Sequence, residues 1–168
     1  MKIKRHLLSK KDRKALIKEI ADKYPKLAEL IKDSEIVEKA ETEEGTIIVV
    51  NKTPCLVILE EENTVIPSLQ ILLKEDFQEI LPKVVVDMGA VPHIANGADV
   101  MAPGITEIKG EFEKGDIVVV VDERHGKPLA VCRARYSSRE IRQMKKGKVL
   151  ENLHYVGDDL WELFKSLA

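Results

Sequence analysis

Residues 84–105 read VVVDMGAVPHIANGADVMAPGI. Three valines form a short β-branched run of the kind that fills a strand, and Asp87-Met88-Gly89 breaks it. Pro92 at a first-turn position and Asn96-Gly97 at the far end bracket about a turn and a half of helix. Pro103-Gly104 then turns the chain into a second β-branched run, Ile105–Lys109. Downstream, Ile117–Asp122, Pro128–Arg135 and Val149–Tyr155 continue the series, each divided from the next by Gly or Pro. Short strands recurring at about ten-residue spacing predict a small barrel. Ser137 and Glu140 have capping-box spacing and predict a second short helix over 138–145.

Upstream the pattern changes. Ser9 is placed to cap a helix over 10–23, with Ala15, Leu16, Ile20 and Tyr24 near one stripe, Lys10, Lys11, Arg13, Lys14 and Lys18 mostly opposite, and Pro25 as its stop. A helix over 26–32 follows. Glu35–Glu41, Thr46–Asn51 and Cys55–Leu59 read as strands, and Ser68–Ile80 has an apolar pattern of helical period that ends before Pro82. The fold class is therefore α+β: a small N-terminal α+β domain, 1–81, followed by a C-terminal β-barrel with short helices, 82–168.

Of the 168 residues, 44% are hydrophobic and 33% charged, enough for a core and too apolar for broad disorder. Asn and Gln are scarce beside Lys, Glu, Ile and Val, a balance found in heat-adapted proteins. The net charge of −2 conceals strong segregation. Residues 1–32 carry +7 and 33–81 carry −9, whereas the window 124–148 carries +8, with Glu140 its one acid. Two isolated cysteines indicate neither a disulfide framework nor a thiolate metal site, which fits a reducing cytoplasm. No segment reads as a membrane span.

Chemistry-bearing motifs are absent. His6, His93, His125 and His154 are scattered without ligand spacing, so no metal is expected. The commonest nucleotide-binding and hydrolase fingerprints do not occur, and no cofactor or enzymatic activity is expected. Cys132 follows Leu129-Ala130-Val131 in a strand and reads as a core residue rather than a nucleophile. Asp87 and Asp99 read as acceptors for turn amides. The basic window is the strongest functional signal. Arg133 and Arg135 share a strand face, Arg139 and Arg142 share a helix face, and Arg suits phosphate and base stacking, which points to an RNA surface rather than a merely solvated one. The Gly-rich loops between Met88 and Gly104 add backbone that can approach a sugar-phosphate. Trp161, beside Leu160, Leu163 and Phe164, reads as packing, with base stacking as the alternative.

At these residues a resemblance enters. Residues 84–105, with GDIVVVVD (115–122), GKPLAVCRA (126–134) and GKVLENLHYVGDDLW (147–161), resemble a PUA domain, the RNA-binding module of pseudouridine synthases and archaeosine transglycosylases. Pro92-His93 through Pro103-Gly104, and the ending Glu151–Tyr155 with Leu160-Trp161, look like the malignant T-cell-amplified sequence family, which includes part of ligatin, in its archaeal form. The resemblance implies a pre-PUA domain ahead of a PUA barrel and a non-enzymatic RNA-binding protein of translation. It also implies action on the small ribosomal subunit or tRNA, in recycling, reinitiation or initiation, with a partner like density-regulated protein. Carried onto this chain it implicates Gly97, Ala98, Asp99, Pro103 and Gly104, with Arg133, Arg135 and Arg139 beside them. Cys132 departs from the Gly that many PUA sequences have there. The basic face of Lys10, Lys11, Lys14 and Lys18 is expected to add an auxiliary electrostatic contact with RNA, the alternative being a merely solvated face. The rival readings are an accessory that presents tRNA or rRNA to a separate modifying enzyme, and a protein-interaction adaptor that docks through the acidic 33–81 segment.

Overall fold

The structure is a computed structural model that describes residues 3–61 and 64–167. Positions 1, 2, 62, 63 and 168 of the two expected domains lie outside the described residues. The chain divides into two compact units, one running to Ile80 and taking in the stretch from Leu163, the other Leu81–Glu162.

The first unit is a five-stranded antiparallel meander, β1 (Lys4–Leu7), β2 (Val37–Thr42), β3 (Gly45–Val50), β4 (Thr53–Ile58) and β5 (Val65–Pro67), in sequence order. Ile47–Val50 are buried on both faces, as befits the central strand. Helices α1 (Lys10–Ile20) and α2 (Pro25–Asp33) lie between β1 and β2 in the chain. Ser9 caps α1 by accepting from the Asp12 amide at 3.1 Å, and Leu16, Ile20 and Tyr24 form its buried stripe. Pro25 opens α2 at a first-turn position, where its missing N–H costs nothing. Arg13 departs from the expected solvent face. Its guanidinium donates to the carbonyls of Ile31, Lys32 and Ser34 and satisfies the open end of α2. Lys10, Lys11, Lys14 and Lys18 are exposed along α1.

The helix expected over Ser68–Ile80 is two pieces, α3 (Leu69–Leu72) and a 3₁₀ turn at Glu75–Phe77. Lys74, with ψ of 137°, breaks the helix between them. Leu69, Ile71 and Leu72 are buried, whereas Phe77 is held at the surface under Lys26, whose ammonium lies 5.6 Å from the ring centroid and bonds the Asp76 carbonyl. The apolar period is present, but it anchors two short segments separately.

The second unit is one six-stranded sheet in the order β7-β11-β10-β9-β6-β8. Its members are β6 (Lys83–Val86), β7 (Val100–Met101), β8 (Ile105–Lys109), β9 (Ile117–Asp122), β10 (Pro128–Ala134) and β11 (Lys148–Tyr155). All pairs are antiparallel except β6 with β9. Connectivity forces this sheet to curl. Its two edges, β7 and β8, are consecutive in the chain and joined only by the 3₁₀ turn Ala102–Gly104. Five inter-strand spacings of ~4.8 Å would hold the edges of a flat sheet ~24 Å apart, beyond the ~14 Å that a few residues can span. The half-barrel closes over Val84, Val86, Val118, Val120, Ala130 and Cys132, inward positions two apart on their strands. Helix α4 (Val91–Ile94) lies in the β6–β7 connection, α5 (Ser138–Gln143) follows β10, and α6 (Asp159–Leu167) ends the chain. The capping box at α5 is formed in both directions, Glu140 N to Ser137 Oγ at 3.2 Å and Ser137 N to Glu140 Oε1 at 3.1 Å. The fold class is α+β, as expected, with the second sheet curled into a half-barrel. Among the described residues no helix is long and apolar enough to cross a membrane.

Candidate nucleic-acid interface

The seam of the half-barrel carries the site. Where β7 passes into the Ala102–Gly104 turn, an open groove of about 570 Å³ is lined by Asp87, Ala90, His93, Ile94, Ala98, Asp99, Val100, Met101, Pro103, Gly104 and Lys148. Four of the five loop residues expected from sequence, Ala98, Asp99, Pro103 and Gly104, therefore meet on one surface. Gly97 sits just behind it, outside the lining.

Each wall has an identifiable cause. Asp87 ends β6, donates its amide to the Gly104 carbonyl at 2.9 Å, and accepts the Ala90 amide on Oδ1 at 2.9 Å, which fixes the turn into α4. Gly97 ends α4 at φ +92° in a Schellman arrangement, with Ala98 N donating to His93 O and Gly97 N to Ile94 O, both at 3.0 Å. A Cβ at Gly97 would lie 3.0–3.2 Å from the Tyr155 ring, so the open side of this glycine is filled by the protein's own aromatic. Asp99 accepts the Asn152 amide on Oδ1 at 2.9 Å and pairs with Arg135 through Oδ2 at 3.4 Å. Both aspartates thus serve turn or strand amides, as their sequence context indicates.

Asn152 was not among the expected residues. Its side-chain amide donates to the carbonyls of Ile94, at 3.2 Å, and Ala98, at 3.1 Å, so it fastens the end of α4 and the groove loop to β11. The available signal was an asparagine inside an expected strand, a residue type that strands disfavour unless its side chain has a local task.

The basic window does not gather at one point. Arg133 faces Glu151 directly across β10 and β11, with an ion pair of 3.0 Å. Arg139 pairs with Glu113 at 3.6 Å, both well exposed. Arg142 pairs with Glu111 at 2.8 Å and donates to the carbonyls of Ile108 and Gly110. The Ser138 hydroxyl and then Arg142 hold the Glu111 carboxyl below the usual carboxylate range. Arg135 meets the groove through Asp99, one of its lining residues. Cys132 is fully buried and its thiol is pushed up, foremost by desolvation, which suits the core reading. Trp161 is half-buried between Leu160 and Glu162 on α6. Among the described residues no group of three or more His, Cys, Asp or Glu could hold a metal ion.

Residues 82–156 match the PUA domain, and residues 4–75 match a domain of unknown function, DUF1947. An uncharacterized protein of Methanocaldococcus jannaschii is 43% identical over 158 residues, 94% of this chain and 95% of its own length. Translation machinery-associated protein 20 of Saccharomyces cerevisiae is 32% identical over 152 residues, 84% of this chain and 82% of its own. The crystal structure of a hypothetical protein from Pyrococcus horikoshii superposes with a TM-score of 0.81 at 35% identity, covering 96% of this chain and 99% of that one. The chain belongs to the PUA-domain family of translation machinery-associated protein 20 and the malignant T-cell-amplified sequence proteins.

Proposed function

We propose that this chain is a non-enzymatic, cytoplasmic RNA-binding translation factor that acts on the small ribosomal subunit or tRNA. Its step is recycling, reinitiation or initiation, with a partner resembling density-regulated protein. The PUA match and the name of the yeast relative support the reading, and the groove at the barrel seam carries it. RNA lies along Ala98, Asp99, Pro103 and Gly104, with Gly97 holding the loop and Arg135 orienting Asp99 from the flank. Arg133 and Arg139 are secondary members, since each already has a carboxylate partner. Residues 82–168 form the RNA-binding domain, and the 1–81 domain adds the exposed Lys10, Lys11, Lys14 and Lys18 as an auxiliary contact with phosphates.

The test uses the intact protein against purified small ribosomal subunits and a tRNA transcript, by co-sedimentation and fluorescence anisotropy. Met101 and Pro103 are exposed on the groove, so Met101→Glu with Pro103→Glu adds two charges without disturbing the core. Like charge brought against phosphate costs several kcal/mol, so affinity should fall by at least about tenfold with unfolding unchanged. Equal binding by the variant would remove the groove from the reading. Co-purification with a tRNA-modifying enzyme, without ribosomal subunits, would favour the accessory role.

A further inference from the structure

The geometry points to Lys145, Lys146 and Lys148, rather than the arginines of the basic window, as the track for the RNA phosphates. This rests on the RNA-binding reading of the groove and goes beyond it by assigning the charge that makes the contact.

The observations are of three kinds. The first is availability. Arg133, Arg139 and Arg142 each have a carboxylate within ion-pair distance, at 3.0, 3.6 and 2.8 Å, and Arg135 pairs with Asp99 at 3.4 Å. Among the described residues Lys145, Lys146 and Lys148 are exposed and have no carboxylate partner. A phosphate that approaches an ion-paired arginine must displace an acid or be repelled by it, whereas one that approaches an unpaired ammonium releases counterions outright.

The second is position. Lys148 lines the groove itself and stands opposite Met101 in the β11–β7 pairing. The Gly147 carbonyl accepts the Ala102 amide at 2.9 Å, so the lysine loop is tied to the turn that forms the groove floor. Gly147 has φ of +97°, a backbone that lets the loop reverse between Lys146 and Lys148.

The third is the sign of the groove. Asp99 is matched by Arg135, but Asp87 lines it with no ion-pair partner among the described residues, so the interior disfavours phosphate and leaves the backbone of a bound RNA to its lysine rim. The shape of the groove and the charge of the loop are thus separate contributions, made by different residues.

The experiment measures binding of a labelled tRNA transcript to the intact protein by anisotropy between 50 and 300 mM salt, with unfolding curves as a control. The variants are Lys145→Gln/Lys146→Gln/Lys148→Gln and two charge-balanced pairs outside the proposed site, Arg142→Gln/Glu111→Gln and Arg5→Gln/Glu38→Gln. Each phosphate contact contributes ~0.7–0.9 to the salt slope, so the lysine variant should lose about two units of slope and at least ~tenfold in affinity at 100 mM salt. The charge-balanced variants should keep the wild-type slope. If those variants lower the slope and the lysine variant does not, the lysine track is wrong while RNA binding stands. If the wild-type protein binds no RNA at any salt, the underlying reading fails instead.

Discussion

Gly97→Ala tests how the groove loop is held. Gly97 has φ of +92°, and a side chain in that region costs an L-residue ~1–2 kcal/mol. An added Cβ would also lie 3.0 Å from Tyr155 Cε1 and 3.1 Å from its hydroxyl oxygen, closer than ordinary van der Waals contact. Pushing a packed ring aside by a few tenths of an ångström costs ~1–2 kcal/mol more. Against these, alanine reduces the freedom of the unfolded chain by ~0.4–1 kcal/mol. The net loss should be about 2–3 kcal/mol. Urea unfolding of the intact chain, followed by the fluorescence of Trp161, its sole tryptophan and a member of the same unit, measures it directly. Tyr155→Ala should remove the clash and leave the backbone strain, so the double variant should show a coupling of about 1–2 kcal/mol. A loss below ~0.5 kcal/mol for Gly97→Ala, or no coupling to Tyr155, would refute the packing argument.

Three further outcomes follow from local geometry. Asn51 and Lys52 have φ of 47° and 72° in the two-residue turn between β3 and β4, so Lys52→Gly, which gives the favoured Asn-Gly pair, should raise stability by ~0.5–1 kcal/mol in denaturant titration. Asp122 is held below the usual carboxylate range, foremost by the His125 amide and then by those of Lys127 and Arg124. Its contribution is therefore present above the unfolded value near ~3.9 and is lost as pH falls through the lower folded value, so Asp122→Asn should flatten the stability profile between about pH 5 and 2; superimposable profiles would remove this role. Burial pushes the Cys55 thiol up to about 12, and Cys132 is raised as well, so neither should react with Ellman's reagent at pH 8 before unfolding releases both.

The strands of the second unit were legible from β-branched runs, as in Ile105–Lys109 and Ile117–Asp122, which have the expected ends, or from their Gly and Pro boundaries, as in β10 and β11. β7 was not, since two residues carry no periodicity. β1 was missed for a different reason: Lys4–Leu7 is exposed throughout and exists as an edge strand through pairing with β2, without an apolar face. α6 also escaped, because Leu160-Trp161 and Leu163-Phe164 read only as packing, although the cap at Asp158 is local in sequence. Asp158 accepts the Trp161 amide on Oδ1 at 2.7 Å while its Oδ2 bonds the Tyr155 amide and the buried His154, each at 2.9 Å. At the site, Pro and Gly announced the groove loop through backbone chemistry that is local in sequence. The partners of the arginines were not readable, since Glu151, Glu113 and Asp99 lie 18, 26 and 36 positions away from Arg133, Arg139 and Arg135. Folding alone decides which cations are already neutralised.

In the proposed function RNA contacts the seam of the PUA barrel. Ultraviolet crosslinking of the intact protein to a bound tRNA transcript and to small ribosomal subunits, followed by mass spectrometry of the crosslinked peptides, tests it most directly. Crosslinks are expected within 87–104 and within 145–148, with any on α1 confined to its lysine face. Crosslinks restricted to the acidic 33–81 segment, or none from residues 87–104 at saturating RNA, would contradict it.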